Sequence, residues 1–402
     1  MNVAICIPTY DSRSQLTETV LSYSIDTYKK YGIDVYYVDS SEDDSIKNVI
    51  EEYRTRGYEN VKHIAAMPGQ NKLALYYTGS GLDKEYDYIW AVKDRVFFDE
   101  KTLVKVLGAM DEGYDAILLG VLPEHVKGEA KTRVYDKPEE FYHDWGFMAT
   151  SIDVTVLKQK SMLDGLTYDD VEKCNPSYTH FQILFQRLAV GDKLVKVLVE
   201  NDVVARNIQG VGSCYHDRMF KIWKDDWISV NESLPSKYDV YKKDVIKHAG
   251  TLPWIFGTVG MLMQYKKSGA FEKDSLDNIL TNWEKVSDIP KEKVAAIANG
   301  TYDMSHDLSI IPKDLPEIVD LLVQVAEKLR IGHMKIEQVP FESIFRSIMN
   351  NVIKKYNGNS YMVQPIKGSV EDVMFYICNK AQTEEEVQRA FQVIISMLML
   401  SL

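Results

Sequence analysis

Cysteine is scarce in this chain of 402 residues, which contains only Cys6, Cys174, Cys214 and Cys378. The four stand far apart, and no two of them form a Cys-x-x-Cys pair. This spacing argues against a cysteine zinc motif and against a disulfide framework, and it is typical of proteins from a reducing compartment. We therefore expect a cytoplasmic protein.

Long hydrophobic runs are also missing. The longest, from Thr251 to Tyr265, is shorter than the roughly 20 apolar residues that a membrane-spanning helix needs. Met1 leads directly into a short apolar run without a basic leader, so we expect no secretion signal. Peripheral contact with the inner face of the membrane stays open as an addition to the cytoplasmic location.

Positive charge is in deficit, since 47 Lys and Arg residues face 59 Asp and Glu residues, for a formal net charge of -12. Binding to phosphate backbones needs a basic face, so nucleic acid is not an expected partner. A hydrophobic fraction of 45% is instead that of a folded globular protein. The length of the chain suggests two or three domains.

The first 120 residues alternate apolar runs with segments of helical spacing, in which residues such as Leu16, Val20 and Tyr23 recur. The apolar runs are Val3–Ile7, Ile33–Val38, Val61–Ala65, Tyr88–Val92 and Ala116–Leu119. Such alternation predicts an α/β fold with a mostly parallel sheet and helices on both faces. Ligands of such sheets bind beyond the carboxyl ends of the strands.

The rest of the chain has a different pattern. Residues 121–235 are mixed, and residues 236–402 are almost entirely helical in pattern, which predicts a C-terminal helical domain. Pro316–Leu329 and Glu384–Leu400 have clear amphipathic spacing. Their apolar stripes are first of all core, and homo-oligomerisation, membrane-surface contact and acceptor binding are the alternatives.

Two strand ends carry groups suited to a nucleoside. The first strand leads into Pro8-Thr9-Tyr10-Asp11, and the second leads into Asp39-Ser40-Ser41. If the strands are parallel neighbours, Thr9 and Asp39 emerge at one edge of the sheet. A carboxylate there can accept hydrogen bonds from a ribose or from the imide N–H of a pyrimidine, and Tyr10 can stack on a base. The alternative is that Asp39 caps a helix and Pro8 ends a strand.

These two motifs together resemble the GT-A glycosyltransferases of family 2, over roughly the first half of the chain. The resemblance continues through Pro68-Gly69-Gln70-Asn71-Lys72 and through the run Tyr86–Val92, which leads into the acidic metal motif of that family. It implies that residues 1–120 bind a nucleotide-sugar and that residues 121–235 form the acceptor side. It also implies that Pro8, Thr9, Tyr10, Asp11, Asp39 and Asn71 hold the nucleotide, with uridine as the nucleoside.

The metal motif departs from the family pattern of paired aspartates, because the segment reads Lys93-Asp94-Arg95. One carboxylate is a poor site for Mg²⁺ or Mn²⁺. In one interpretation Lys93 and Arg95 neutralise the departing diphosphate in place of the metal. In the other, Asp94 still ligates a metal together with substrate phosphates. Weak or absent metal dependence is the resulting prediction.

Inverting transfer needs a base for the acceptor hydroxyl. The family takes it from an acidic pair at a helix start, where this chain has Thr179-His180. His180 is one candidate, because its unperturbed pKa lies near 6.5 and a helix start favours its neutral form. Asp144 is the other, in a segment where Trp145 could stack on a sugar ring. The alternative for His180 is an ordinary surface residue.

Arg206 and His216 stand where related enzymes have a mobile segment over the donor diphosphate, and a plain loop is the alternative. The resulting prediction is an inverting glycosyltransferase that moves a hexose or N-acetylhexosamine from a UDP-sugar to a saccharide or glycoconjugate acceptor. The rival prediction is a catalytically degenerate subunit that acts as a scaffold through its helical domain.

Overall fold

The computed structural model describes residues 1–11, 13–120, 132–199, 205–207, 216–252, 255–257, 259–302, 361–365 and 375–379. For residues 205–207, 216, 260, 264, 361–365 and 375–379 only the backbone is described. The chain divides into two compact units, residues 1–213 with 226–245 and residues 214–225 with 246–402.

The first unit is built on an eight-stranded sheet, which confirms the predicted α/β fold with a mostly parallel sheet. In chain order its strands are β1 (Val3–Thr9), β2 (Ile33–Asp39), β3 (Val61–Ala65), β4 (Tyr88–Ala91), β6 (Ala116–Gly120), β7 (Arg133–Tyr135), β8 (Thr155–Lys158) and β9 (Val195–Val199). Two further strands, β5 (Val96–Phe98) and β10 (Ala205–Asn207), form an antiparallel pair of their own. The order across the large sheet is β3-β2-β1-β4-β8-β6-β9-β7.

The central strands form because apolar and β-branched residues are buried along their full length. Every residue of β2 and β4 is buried, and in β1 only Pro8 is partly exposed. Strands buried on both faces are expected where helices cover the two sides of a parallel sheet. β3, β2, β1 and β4 are mutually parallel, so their carboxyl ends meet at one edge.

Helices alternate with these strands along the first unit. They are α1 (Ser14–Lys30), α2 (Ser45–Thr55), α3 (Lys72–Tyr77), α4 (Glu100–Asp111), α5 (Pro138–Trp145), α6 (Tyr168–Glu172), α7 (Thr179–Leu188) and α8 (Trp227–Ser233). α1 buries Leu16, Val20, Leu21 and Ile25 at the spacing of one helical face. α9 (Asp239–Gly250) runs across the boundary between the two units.

β8 has no counterpart among the predicted strands. It is antiparallel and lies between β4 and β6, which the sequence pattern would have made neighbours. Its four residues, Thr155-Val156-Leu157-Lys158, form too short an apolar run to separate from the surrounding turns by periodicity. This strand matters for the site described below, because the turn that precedes it carries Asp153, which contacts Lys93 after β4.

The second unit contains α10 (Val259–Lys267), α11 (Leu276–Leu280) and α12 (Lys291–Ala298), around an aromatic core. Phe220, Phe256 and Trp283 pack within this core with ring centroids 5.1 to 6.3 Å apart. Two more strands, β11 (Tyr361–Pro365) and β12 (Phe375–Asn379), form an antiparallel pair. The C-terminal region, predicted as a helical domain, therefore also contains a strand pair, because runs of five residues are too short to separate from helical segments by periodicity.

The predicted helices Pro316–Leu329 and Glu384–Leu400 lie outside the described residues. The division at residues 120 and 235 stays a prediction. Within the described part of the chain, no helix combines the length and apolar character that crossing a membrane requires.

Candidate functional site at the carboxyl edge of the sheet

Thr9 and Asp39 lie side by side at the carboxyl ends of β1 and β2. They are register partners in the parallel ladder, and both are buried. The backbone N–H of Ser40 donates to the Thr9 carbonyl at 3.3 Å. The proximity predicted from the parallel arrangement is therefore present. The alternative in which Pro8 ends its strand does not hold: Pro8 lies within β1 opposite Val38, because a strand can continue where the missing N–H is not needed.

The carboxylate of Asp39 is held on both oxygens. Oδ1 accepts the backbone N–H of Ser41 at 2.8 Å and also the Ser41 hydroxyl. Oδ2 lies 3.1 Å from Nε2 of His63, which comes from β3. His63 was not among the predicted site residues, because only the β2–β3 register brings it beside Asp39. The orientation of this carboxylate is fixed before any ligand binds.

The turn after β1 carries Tyr10 and Asp11. Asp11 accepts the backbone N–H of Glu42 at 2.9 Å, which ties the first strand–helix turn to the second. Tyr10 is 45% exposed, and two cations lie near its ring. The guanidinium carbon of Arg13 is 4.8 Å from the ring centroid, and Nζ of Lys72 is 5.6 Å from it. Tyr10 therefore orders two positive charges at the edge as well as offering an aromatic surface.

Lys72 is a site residue to which the sequence interpretation gave no role. Its ammonium donates to the Thr9 carbonyl, and burial lowers its pKa although the charges of Asp39, Asp94 and Asp11 act in the opposite direction. The neighbouring Asn71 instead starts a helix, since its side chain accepts the Leu73 N–H at 3.1 Å. Its predicted contact with the nucleotide stays a prediction.

Asp94 lies just beyond β4 and is buried. Its carboxylate is 3.6 Å from Nε of Arg13 at the start of α1. Burial raises the pKa of Asp94, the charges of Arg13, Arg95 and Lys72 lower it, and the charge of Asp153 raises it further. The net effect is a pKa above the ordinary value, so three nearby cations do not fully compensate for the loss of water.

Lys93 does not share this environment. Its ammonium lies 2.8 Å from the Asp153 carboxylate and donates to the Ser151 hydroxyl at 3.1 Å. The charge of Lys93 is thus paired with a buried carboxylate, and the expected action of Lys93 and Arg95 on the diphosphate stays a prediction. Arg95, which is half-buried, does act electrostatically on Asp94.

A divalent cation does not fit the groups around Asp94. Mg²⁺ and Mn²⁺ prefer several oxygen ligands, whereas this carboxylate faces Arg13 and is surrounded by further positive charge. Among the described residues, no group of three or more His, Cys, Asp or Glu side chains is arranged to hold a metal ion.

Arg206 is brought toward the same edge by its backbone. β10 pairs with β5 in antiparallel register, which sets Arg206 opposite Phe97, close in sequence to the Asp94 turn. The side chain of Arg206 is outside the description. His216 lies in a 3₁₀ turn, His216–Arg218, of the second unit, and its side chain is not described either. Their contact with the diphosphate stays a prediction.

Asp144 lies in a network of polar side chains, and its role as the acceptor-site base stays a prediction. Its carboxylate accepts the Tyr135 hydroxyl at 2.9 Å and lies 3.3 Å from Arg133 and 2.9 Å from His143 Nδ1. Trp145 is buried and donates to the Tyr135 hydroxyl at 2.8 Å, so it cannot present a platform to a sugar. The charge of Asp144 serves this local network.

His180 is buried rather than a surface residue. Its Nε2 lies 3.0 Å from the Ala149 carbonyl, and burial together with the charge of Lys93 lowers its pKa to about 4. A carbonyl oxygen only accepts, so the ring must donate there. With this pKa the ring is neutral at pH 7, and its role as the base stays a prediction.

No family model matches the sequence, and no curated protein matches it. Among solved structures the chain is similar to S. aureus TarS, at 12% identity and a TM-score of 0.44 over 74% of this chain, and it spans half the length of that structure. It is also similar to S. aureus TarS 1–349 in complex with UDP-GlcNAc, at 11% identity and a TM-score of 0.44, covering 95% of this chain and 98% of the other. A third similarity is to the mannosyltransferase PcManGT of Pyrobaculum calidifontis in complex with GDP-Man and Mn²⁺, at 12% identity and a TM-score of 0.41, over 74% and 86% of the two chains.

Proposed function

We propose that this chain is an inverting glycosyltransferase that moves a hexose or N-acetylhexosamine from a UDP-sugar to a saccharide or glycoconjugate hydroxyl. The observation that carries the proposal is the set of groups at the carboxyl edge of β1, β2 and β4. An oriented carboxylate, Asp39, stands beside Thr9, with Lys72 and Arg13 as cations next to them.

The nucleoside would be held by Asp39, Thr9 and Tyr10. A buried carboxylate that is already oriented loses little freedom when it accepts hydrogen bonds from a ribose or from the N–H of uracil. The Thr9 hydroxyl is buried and has no hydrogen-bond partner within the described part of the chain. A buried hydroxyl without a partner is costly, so a ligand group that pairs with it would gain affinity. The base would stack on the exposed face of Tyr10.

The diphosphate would be bound by Lys72, Arg13 and Arg95. In the single displacement that inverts the sugar carbon, negative charge develops on the departing UDP, and preorganised cations stabilise that charge. Burial already destabilises the ammonium of Lys72, and an adjacent phosphate would restore what it lost. Because the groups around Asp94 do not suit a divalent cation, we expect Mn²⁺ or Mg²⁺ to change UDP binding little.

A second candidate function is supported by the acceptor side. Asp144 is held by Arg133 and by the Tyr135 hydroxyl, and the buried His180 donates to the Ala149 carbonyl, so both candidate bases already have partners. A subunit that binds UDP-sugars without transferring them, and that acts as a scaffold, would have such a site. Membrane-surface contact and homo-oligomerisation through the C-terminal helices belong to this proposal as well.

Isothermal titration with UDP, in Mn²⁺ and in EDTA, tests the shared part of both functions. We expect binding in both buffers and a loss of about tenfold in affinity for Asp39→Asn, since a charge-assisted hydrogen bond contributes about that factor. Asp192→Asn, the same change at an exposed turn, is the matched control. If UDP bound neither in Mn²⁺ nor in EDTA, the proposed function would be wrong.

Release of UDP from UDP-glucose and UDP-N-acetylglucosamine then separates the two functions. Turnover that falls in Asp39→Asn and not in Asp192→Asn supports the transferase. UDP binding without turnover, across a panel of saccharide acceptors, supports the scaffold.

A further inference from the structure

Asp153 makes several contacts to the residues at the end of β4. One of its carboxylate oxygens accepts the backbone N–H of Lys93, and the other lies 2.8 Å from the Lys93 ammonium. The Ser151 hydroxyl donates to the same carboxylate at 3.3 Å. The side chain of Asp153 is buried, with 5% of the residue exposed. One carboxylate therefore binds both the main chain and the side chain of Lys93.

The main chain of Asp153 is fixed as well. Its carbonyl accepts the indole N–H of Trp90, in β4, at 2.8 Å. β4 and β8 are antiparallel, with Trp90 opposite Val156, and continuing that register beyond the strand ends sets Lys93 opposite Asp153. The 3₁₀ turn Ile152–Val154 carries Asp153 into this position. The contact follows from the same antiparallel strand that periodicity did not predict.

The segment that Asp153 holds is the turn that presents Asp94. The N–H of Val96 donates to the Lys93 carbonyl at 3.0 Å, which closes a tight turn with Asp94 and Arg95 at its centre. The N–H of Lys93 lies past the last residue of β4 and needs a partner, because a buried N–H left unpaired is costly. Asp153 supplies that partner.

The same carboxylate controls which cations face Asp94. With its ammonium bound to Asp153 and Ser151, Lys93 is withheld from Asp94, whose carboxylate instead lies beside Arg13. The negative charge of Asp153 also acts on Asp94 directly, in the direction that raises its pKa. Without the Asp153 carboxylate, the Lys93 ammonium would lose its ion pair and would keep only the hydrogen bond to the Ser151 hydroxyl.

We propose that Asp153 is a positioning residue for the Asp94 turn: it fixes the turn through the Lys93 N–H and withholds the Lys93 ammonium from Asp94. An effect of Asp153 on diphosphate binding rests on the proposed function, whereas its positioning of the Asp94 turn does not. Asp153→Asn keeps an oxygen for the N–H of Lys93 and removes the charge that holds the ammonium. Asp153→Ala removes both.

The decisive measurement is the titration of the Asp94 carboxyl carbon by NMR, without nucleotide. In Asp153→Asn we expect Asp94 to titrate at a lower pH than in the wild type, because a neighbouring negative charge is gone and a positive charge is released. A role confined to packing would not move this titration. UDP affinity should fall about threefold in Asp153→Asn and about tenfold in Asp153→Ala.

Asp34→Asn is the matched control. It also removes a buried carboxylate that pairs with lysines, but Asp34 lies at the amino end of β2, away from the Asp94 turn. It should leave the Asp94 titration and the UDP affinity unchanged. An Asp94 titration at the wild-type pH in folded Asp153→Asn overturns the proposal. If the wild type binds no UDP, the proposed function fails, and the Asp94 titration still decides whether Asp153 positions the turn.

Discussion

Buried carboxylates differ in how far they are compensated at the amino ends and at the carboxyl ends of the central parallel strands. At the amino end of β2, Asp34 lies 2.8 Å from Lys84 and 3.2 Å from Lys62, and it accepts the Tyr86 hydroxyl at 2.6 Å. Burial raises its pKa, yet these partners outweigh burial and the net pKa is lowered. At the carboxyl end, Asp94 is equally buried, 9% exposed against 8% for Asp34, and its pKa is raised.

The lysines at the two ends differ in the same way. The pKa of Lys62 is raised, because Asp83, Tyr36 and Asp34 overcome the effect of burial. The pKa of Lys72 is lowered, because burial overcomes the effect of its acidic neighbours. Charges at the amino end therefore compensate one another inside the protein. Charges at the carboxyl end are buried without full compensation, which is typical of a site that a ligand completes.

The largest expected effect is on stability and comes from the amino end. Asp34→Ala should lower the free energy of unfolding by about 4 kcal/mol, because the half-buried ammonium of Lys62 and the buried hydroxyl of Tyr86 lose this acceptor and the ion pair is broken. Urea unfolding at pH 7 measures this, with Asp192→Ala as the exposed control. Because the folded pKa of Asp34 lies below its ordinary 3.8, the stabilisation is present above pH 3.8 and is lost as the pH falls through the folded value. A variant as stable as the wild type would remove the distinction between the two ends.

His180 extends the comparison to a neutral buried group near the carboxyl end. Its folded pKa of about 4 lies below the ordinary 6.5, so the unfolded chain binds more protons between these values and stability rises with pH across them. Acidification from pH 6.5 to 4 should cost the wild type about 3 kcal/mol more than it costs His180→Gln. Urea unfolding at several pH values tests this, with His143→Gln as a half-buried control. Parallel pH curves for the wild type and His180→Gln would contradict it.

Substitution of Lys72 and of Lys62 tests the same difference between the two ends by UDP binding. Lys72→Met should weaken UDP binding about thirtyfold, because it removes a poorly compensated cation from the proposed diphosphate site. Lys62→Met, the same substitution at the other end, should lower stability and leave UDP binding unchanged. Calorimetric titration and urea unfolding of both variants are the measurements. Equal losses of UDP affinity in the two variants would argue against a division between the ends.

The smallest expected effect has the opposite sign to the first. Asp94→Asn should raise the free energy of unfolding at pH 7 by about 1 kcal/mol or less, because it removes a charge that burial destabilises. The gain should shrink as the pH falls through the raised pKa of Asp94, since the wild-type carboxyl then becomes neutral as well. Urea unfolding at pH 7 and pH 4 measures both values. Destabilisation comparable to that of Asp34→Ala would show that Asp94 is a structural carboxylate.

Much of the sheet was predictable from single segments. The boundaries of β1, β2, β3, β4 and β6 agree with the apolar runs within about two residues. For β1, β2, β4 and β6 the reason is that a strand covered on both faces is largely apolar. The proximity of Thr9 and Asp39 also followed, since parallel neighbours end at the same edge. The contacts of Lys93 with Asp153, Arg13 with Asp94, and His63 with Asp39 did not follow. Each joins residues from separate elements whose register no local pattern specifies.

The limit of prediction from sequence is clearest on the acceptor side. His143-Asp144-Trp145 has the composition of a sugar-binding segment, yet Trp145 and Tyr135 lie in the core and Arg133 pairs with Asp144. The sequence indicates where the chain is buried and which residue types follow each strand, because hydrophobic periodicity reflects burial. Which of those charges are compensated depends on the tertiary fold, because β8 and the helix starts bring partners from distant segments. Asp34 and Asp94 are the same residue type with similar exposed fractions, but the partners of Asp34 outweigh its burial, whereas burial outweighs the cations around Asp94.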